Sequence, residues 1–292
     1  MPADPFESHR SKLFGIAYRM LGSVAEAEDA VQDTYLRWHQ KNDRSDIINS
    51  EAFLVTVVTR LCLDHLKSAT VNRETYVGPW LPEPLITGSQ SGPEAQKEFA
   101  DTLSYAFLML LERLNPTERA VYILREAFDF KHEEIAAVLG GNAANSRQVS
   151  RRAKANLGQH KQRFECTDKD QDRLFGRFIE ATGQGNLQPL FDMLADDIVL
   201  YSDGGGKVLA ALRPLRGKER IIRFLRRTLG QRDSAGEVSL CRVNGQPAIK
   251  QSLHGEVTGI VTLHFVEGKV EQLFVVRNPD KLCRAEYQQS II

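Results

Sequence analysis

At 292 residues the chain is too long for a single small module and fits two or three domains of ordinary size. Equal numbers of basic (38 Lys and Arg) and acidic (38 Asp and Glu) residues leave no net charge, which excludes a polycationic packaging protein; 42% hydrophobic and 26% charged residues exclude a disordered or collagenous chain. Four scattered cysteines (Cys62, Cys166, Cys241, Cys283) form no CxxC pair, so neither a disulfide framework nor a structural zinc site is expected.

Met1–Arg10 lacks the apolar core of a signal peptide, and the longest apolar stretch, Leu103–Leu111, is about half a membrane span; a cytoplasmic protein with no membrane partner is expected. Leu13, Ile16, Ala17, Met20 and Leu21 fall at the spacing of an amphipathic helix that Gly22 ends. Ser23 and Glu26 form a capping-box pattern, and Ala27, Ala30, Val31, Thr34 and Trp38 carry the period through a second helix. A third helix opens at Ser50, with Leu54, Val57, Val58, Leu61 and His65 inward and Arg60, Asp64 and Lys67 outward.

From Val71 to Pro93 recurrent Gly and Pro forbid a continuous helix and predict a linker. Within it Trp80-Leu81-Pro82-Glu83-Pro84 sets a large indole on stiff backbone, which suits either a tether whose Trp folds onto the nearest helix or a dedicated docking segment. Phe99–Leu114 reads as another apolar-faced helix. Asn115-Pro116-Thr117-Glu118 then combines an N-cap, Pro at the first helical position and Glu at the third, opening a helix to about Phe128.

A short helix over Lys131–Leu139, the turn Gly140-Gly141, a cap at Asn142 and buried positions Val149, Ala153 and Leu157 make a helix-turn-helix. Its last helix turns Arg147, Gln148, Ser150, Arg151 and Lys154 outward, and Arg147–Arg163 holds six Lys or Arg and no acid. Arg can bridge guanine, Gln can bridge adenine, and cations can neutralise phosphates; a solvated basic face complementing the helix dipole is the alternative. His132-Glu133-Glu134-Ile135-Ala136 is no zinc helix, because Ala136 replaces the second His. Residues 1–165 carry 20 basic and 22 acidic side chains, so DNA affinity would need a partner protein or two modules held in fixed geometry.

This order of parts resembles a bacterial RNA polymerase sigma factor of the extracytoplasmic-function group. Leu13–Trp38, centred on Ala27-Glu28-Asp29-Ala30-Val31-Gln32-Asp33, is similar to the core-polymerase-binding helices of region 2; the resemblance implies that Asp29, Gln32, Asp33, Leu36 and Trp38 meet core polymerase. Phe53–Tyr76, with Leu61-Cys62-Leu63-Asp64-His65-Leu66-Lys67, is similar to the segment that melts and reads the downstream promoter element, implying DNA contacts from Arg60, Asp64, Lys67 and Arg73. Leu111–Leu157, with Arg113-Leu114-Asn115-Pro116 and Glu133-Glu134-Ile135-Ala136, resembles region 4, whose last helix reads the upstream element.

Asp203-Gly204-Gly205-Gly206-Lys207 and Asn278-Pro279-Asp280-Lys281-Leu282, together with Trp80–Pro84, resemble the SigJ-type subgroup, in which a SnoaL-like domain follows region 4 and acts in place of a separate anti-sigma factor. Gly141 and Arg151 depart from the pattern expected of the helix-turn-helix, so promoter preference does not transfer with the resemblance.

In the continuation, Asp172–Thr182, Leu187–Leu194 and Lys218–Leu229 read as helices. Ile198–Ser202, Glu237–Val243, Ala248–Ser252, Val257–Val266 and Val270–Val276 read as strands, with hairpin signals at Asn244-Gly245 and Gly268-Lys269. Helices on one side of a curved antiparallel sheet make an α+β cone able to hold a small ligand, with Tyr201 and His264 as acid/base candidates, although a lone strand His is more often a satisfied core residue. Asp203–Lys207 lacks phosphate-loop spacing and reads as a turn open to close backbone approach; Asn278–Leu282 is either a simple strand-exit turn or a contact near the linker.

The expected fold is therefore two all-α sigma-type domains, the second a helix-turn-helix, plus a C-terminal α+β SnoaL-like cone. Expected boundaries are 1–70 for region 2, 71–94 for the linker, 95–164 for region 4 and 168–286 for the C-terminal domain. The expected function is a non-enzymatic alternative sigma factor, needing no cofactor or metal, whose partners are core RNA polymerase and promoter DNA and whose C-terminal domain regulates it by intramolecular contact. The alternatives are a one-component, ligand-sensing helix-turn-helix regulator and a SnoaL-like cyclase or isomerase carrying a DNA-binding passenger.

Overall fold

The computed structural model describes residues 4–41, 47–87, 103–158, 168–183, 187–229 and 236–283. It divides into two compact units that are discontinuous in sequence: Met1–Glu74 with Phe107–His160, and Thr75–Ala106 with Lys161–Ile292.

The described part of the first unit is helical: α1 (Pro5–Leu21), α2 (Val24–Gln40), α3 (Ser50–Glu74), then α4 (Tyr105–Leu111), which carries the unit boundary, α5 (Pro116–Glu126), α6 (His132–Leu139) and α7 (Ala143–Leu157). Local chemistry sets the ends. Asp4 caps α1 by accepting from the Phe6 N–H, and Gly22, at φ 70°, takes the left-handed position that ends it. Ser23 caps α2 by accepting from the Glu26 N–H, while the Glu26 carboxylate lies 3.1 Å from His65 Nε2 on α3. At α5 both halves of the capping box form: Asn115 Oδ1 accepts from the Glu118 N–H at 2.9 Å, and Glu118 Oε2 from the Asn115 N–H at 3.3 Å.

Helices α1–α3 pack on one another through Leu13, Ile16, Ala17, Met20, Val31 and Leu54. Helix α5 packs against them: Arg119 donates to the Met20 carbonyl of α1 at 2.8 Å while pairing with Glu112 at 2.7 Å. Phe128 and Phe130 receive the cations of Arg19 and Lys12 over their rings. Arg19 is itself buried, donates to the Gly15 carbonyl, and has its pKa pulled down to about 9 by loss of hydration.

The second unit holds the linker and an α+β domain: α8 (Asp168–Gly183), α9 (Leu187–Met193), β1 (Leu194–Asp203), β2 (Leu215–Arg216), α10 (Lys218–Leu229), β3 (Gly236–Val243), β4 (Gln246–Leu253), β5 (Glu256–Val266), β6 (Lys269–Val276) and α11 (Pro279–Leu282). The strands lie in the order β2-β1-β6-β5-β4-β3. The sheet was expected to be antiparallel, but β1 and β6 run parallel; the excursion through α10 carries the chain to the far edge, and the β3–β6 meander brings it back beside β1. On one face Leu200, Leu273 and Leu263 form one cross-strand row and Val275, Val261 and Ile249 the next, closed over by Leu174, Phe175 and Phe178 of α8 and Ile221 of α10. On the other face Phe274 is sandwiched between Tyr201 and Tyr105, each ring centroid 5.6 Å away, and Tyr105 donates to the Pro82 carbonyl.

Candidate functional site

Three motifs far apart in the sequence meet at one carboxylate in the second unit. Asp203, at the end of β1, is 0% exposed. Its Oδ1 accepts from the Tyr76 hydroxyl at 2.6 Å and the Gly205 N–H at 3.0 Å; its Oδ2 accepts from the Leu81 N–H at 2.9 Å and Lys281 Nζ at 2.7 Å. Four donors, one of them a cation, satisfy a carboxylate that would otherwise be costly to bury. Lys281 also donates to the Leu81 carbonyl at 2.5 Å and sits 4.3 Å above the Trp80 ring and 5.0 Å above the Tyr76 ring. Burial and the hydrogen bond it donates to Asp203 push the Tyr76 phenol well above its usual range, so it stays a donor.

The glycines of Asp203–Lys207 are there for space. A Cβ on Gly205, at φ 59°, would lie 2.4 Å from the Asn278 amide; one on Gly204 would lie 2.5 Å from the Val208 carbonyl; one on Gly206, at φ 72°, would lie 3.1 Å from Val77. Asn278 caps α11 through the Asp280 N–H and donates to the Tyr76 hydroxyl at 2.9 Å. Pro279 begins that helix, Leu282 is buried, and Lys207 reaches Asp280 at 2.7 Å on the surface. Of the two readings of Asn278–Leu282, the simple strand-exit turn gives way to a short helix that aims Lys281 at Asp203 and the linker.

A second grip holds the far end of the linker. Asn244 of the β3–β4 hairpin, fully buried at φ 54°, accepts from the Leu85 N–H at 2.9 Å, donates its own N–H to the Leu85 carbonyl at 2.8 Å, and donates its amide to the Leu103 carbonyl at 2.9 Å. Ile86 bridges Val243, and the Thr87 N–H donates to the Arg242 carbonyl at 3.0 Å. Between the grips Leu81, Pro82, Glu83, Pro84 and Leu85 are all buried, so Trp80–Pro84 is a docked segment and not a loose tether. Sequence reading missed Tyr76, Tyr105 and Asn244. The Asn-Gly signal was present, but as a turn signal it says nothing of the carbonyls and amides that Asn244 serves.

In the first unit Asp29, Gln32, Asp33 and Leu36 share the outer face of α2, and Leu36 is 44% exposed. Trp38, expected among them, is 4% exposed, donates from Nε1 to Asp4 and packs on Phe53. It belongs to the inner stripe with Ala27, Val31 and Thr34, so the expectation of a direct polymerase contact is corrected. On α3, Asp64 and Lys67 are exposed and pair with each other at 3.3 Å, and Arg60 donates from Nε to the Val138 carbonyl at 3.2 Å. The side chain of Arg73 lies outside the described residues.

On α7, Arg147, Gln148, Arg151 and Lys154 are exposed, with Arg147 beside Glu133 (3.2 Å) and Lys154 beside Glu126 (2.7 Å). Ser150 was expected to face outward; it is 5% exposed, one turn from Ser146 and Ala153 on the buried face of the helix.

One helical module carries an exposed acidic and leucine stripe, and the other is a helix-turn-helix with a basic outer face, the makeup of a DNA-binding protein. The description "Sigma-70 region 2" matches residues 5–71 and "Sigma-70, region 4" residues 104–157. The chain is 37% identical over 294 residues to the ECF RNA polymerase sigma factor SigJ of Mycobacterium tuberculosis (strain ATCC 25618 / H37Rv), covering 96% of this chain and 93% of that protein. It is 30% identical over 286 residues to the probable ECF RNA polymerase sigma factor SigI of the same strain, covering 96% and 95%.

The crystal structure of the Mycobacterium tuberculosis extracytoplasmic function sigma factor SigJ is similar at a TM-score of 0.78 and 32% identity, over 98% of this chain and 99% of that one. The chain belongs to the extracytoplasmic-function sigma factors, non-enzymatic subunits that bind core RNA polymerase and direct promoter-specific transcription initiation. Among the described residues no helix is long and apolar enough to cross a membrane.

Proposed function

We propose that the C-terminal domain controls this sigma factor by holding the linker between regions 2 and 4. The convergence of Tyr76, Leu81 and Lys281 on Asp203 carries this reading. The linker is the covalent connection between the two DNA-reading modules, and residues 76–87 are spent on the C-terminal domain. Fixing that stretch removes freedom from the span the modules share, which sets the effective concentration of one promoter contact once the other is made. Trp80–Pro84, Asp203–Lys207 and Asn278–Leu282 are the parts of this device. On this reading regulation acts within one cytoplasmic chain and replaces a separate anti-sigma factor.

The same reading assigns 1–70 to region 2, 71–94 to the linker, 95–164 to region 4 and 168–286 to the regulatory domain. Asp29, Gln32, Asp33 and Leu36 meet core polymerase. Arg60, Asp64, Lys67 and Arg73 serve the downstream element, and Arg147, Gln148, Arg151 and Lys154 the upstream one. Arg60 must leave the Val138 carbonyl to do so.

The test is in vitro transcription with bacterial core polymerase on fragmented genomic DNA. Start sites are sequenced for the full chain, for Asp203→Asn and for a truncation after Phe164. Starts sharing one spaced two-part motif are expected with all three proteins, with start-site usage altered in the same direction by the point change and the truncation. An Asp203→Asn protein indistinguishable from the full chain, beside a truncation that differs from it, would place control elsewhere in the C-terminal domain.

A further inference from the structure

The strongest concentration of positive charge in the C-terminal domain lies on α10 and the turn before it. Residues 213–229 hold Arg213, Arg216, Lys218, Arg220, Arg223, Arg226 and Arg227 against the single acid Glu219, a net charge of +6 in a chain whose total is zero. The six arginines are exposed, and among the described residues none is paired with a carboxylate; only Lys218 is, with Asp196 at 2.6 Å. The opposite side of the helix is committed: Ile221 is fully buried in the domain core, with Ile222, Phe224 and Leu225 packed against it. The cationic row is therefore anchored on a rigid element, and the apolar face is not free to enter a lipid surface as an interfacial helix would.

We infer that the exposed arginine face of α10 is a further, sequence-independent DNA-binding surface that grips the sugar-phosphate backbone. Arg220, Arg223 and Arg227 recur every three or four residues, so their guanidiniums repeat about 4.5–6 Å apart along the helix. A regular row of unpaired cations suits duplex DNA, with one negative charge per ~1.7 Å of axis, better than a protein surface of mixed sign. The guanidinium fork matches phosphate oxygens two at a time, and six of the seven cations are Arg. The remainder of the chain carries a net −6, so this face supplies backbone attraction that a neutral sigma factor otherwise lacks.

The full chain is titrated by fluorescence anisotropy into a labelled duplex of about 40 base pairs with no promoter element, across a range of salt concentrations. Arg220→Glu/Arg223→Glu/Arg227→Glu is expected to lower the slope of log affinity against log salt by about 2–3, since each phosphate contact contributes ~0.9. The triple Lys variant is expected to keep the slope, because counterion release counts charge. A scattered control, Arg10→Glu/Arg173→Glu/Arg177→Glu, makes the same change in net charge at other exposed sites and is expected to leave the slope near that of the parent. All three residues on α10 are exposed, and an unchanged thermal transition checks folding. An unchanged slope in the α10 Glu variant, or an equal loss in the scattered control, overturns the inference. So does weakened binding to core polymerase at an unchanged duplex slope, which would make the face a protein contact.

Discussion

At the residue scale the second unit turns on Asp203 and Lys281. Lys281 is 12% exposed and Asp203 fully buried, so neither charge can fall back on water if the other is lost. Lys281→Met is expected to destabilise the C-terminal unit by about 3–5 kcal/mol, because it leaves the carboxylate buried without its cation. The double variant with Asp203→Asn is expected to recover part of that loss, giving a non-zero coupling in urea unfolding; additive single effects would show that the pair is not energetically linked.

His264 is a second sensitive residue. It is buried on β5, and loss of hydration depresses its pKa to about 4. Between about pH 6.5 and pH 4 the unfolded chain takes up a proton that the folded chain refuses. Its stabilising term is therefore complete above pH 6.5, falls as the pH drops toward 4, and levels off below, a loss of about 3 kcal/mol. His264→Gln should remove that share of the acid dependence; a parallel pH profile in parent and variant would contradict a neutral buried imidazole.

At the scale of elements, the loop after β1 shows why a turn signal can be read and its purpose missed. Gly205 combines a left-handed backbone with no room for a Cβ, whereas Gly268, at φ 77° in the β5–β6 hairpin, faces open space. Gly268→Ala should cost about 1 kcal/mol from backbone strain alone. Gly205→Ala should cost more and should also shift Asn278, which calorimetry and the chemical shift of its side-chain amide would report; equal costs would mean that Asn278 yields freely.

Elements governed by local pattern were legible in the sequence. The boundaries of α10 are as expected, the Asn115 capping box forms, and Gly140 ends α6 in the left-handed region. What depended on distant partners was not legible. The two-residue β2 exists only because β1 lies beside it, the parallel β1–β6 pairing follows from the return path of the chain, and α11 is too short to show a period. The site was half legible: the three motifs could be expected to meet the linker, but Tyr76 and Asn244, which join them, carry no pattern of their own. Trp38 took its expected role from resemblance and Ser150 its outward place from helical period, while burial is decided by which face the neighbours cover.

At the scale of the whole molecule, the division into compact units does not follow the order of the chain. Residues 75–106 lie between the two halves of the helical unit in sequence, yet they group with the C-terminal domain. Their backbone is satisfied there: the Leu81 N–H by Asp203, the Leu85 N–H by Asn244 and the Thr87 N–H by the Arg242 carbonyl. Amide hydrogen exchange should therefore report linker and C-terminal domain as one cooperative unit.

Phe178 and Leu13 separate the possibilities, because each is buried in a different unit and neither belongs to the linker. Phe178→Ala removes a core ring from the helix-covered face of the sheet and should cost about 3–5 kcal/mol. The Leu81, Leu85 and Thr87 amides should then lose protection in step with those of β5 and β6. Leu13→Ala should cost the helical unit about 2–5 kcal/mol, lowering protection in α1–α3 while the three linker amides stay as they were. Linker amides that followed Leu13→Ala would mean that the linker opens with the DNA-reading modules. A clamp that has to outlast movements of regions 2 and 4 would then lose its physical basis.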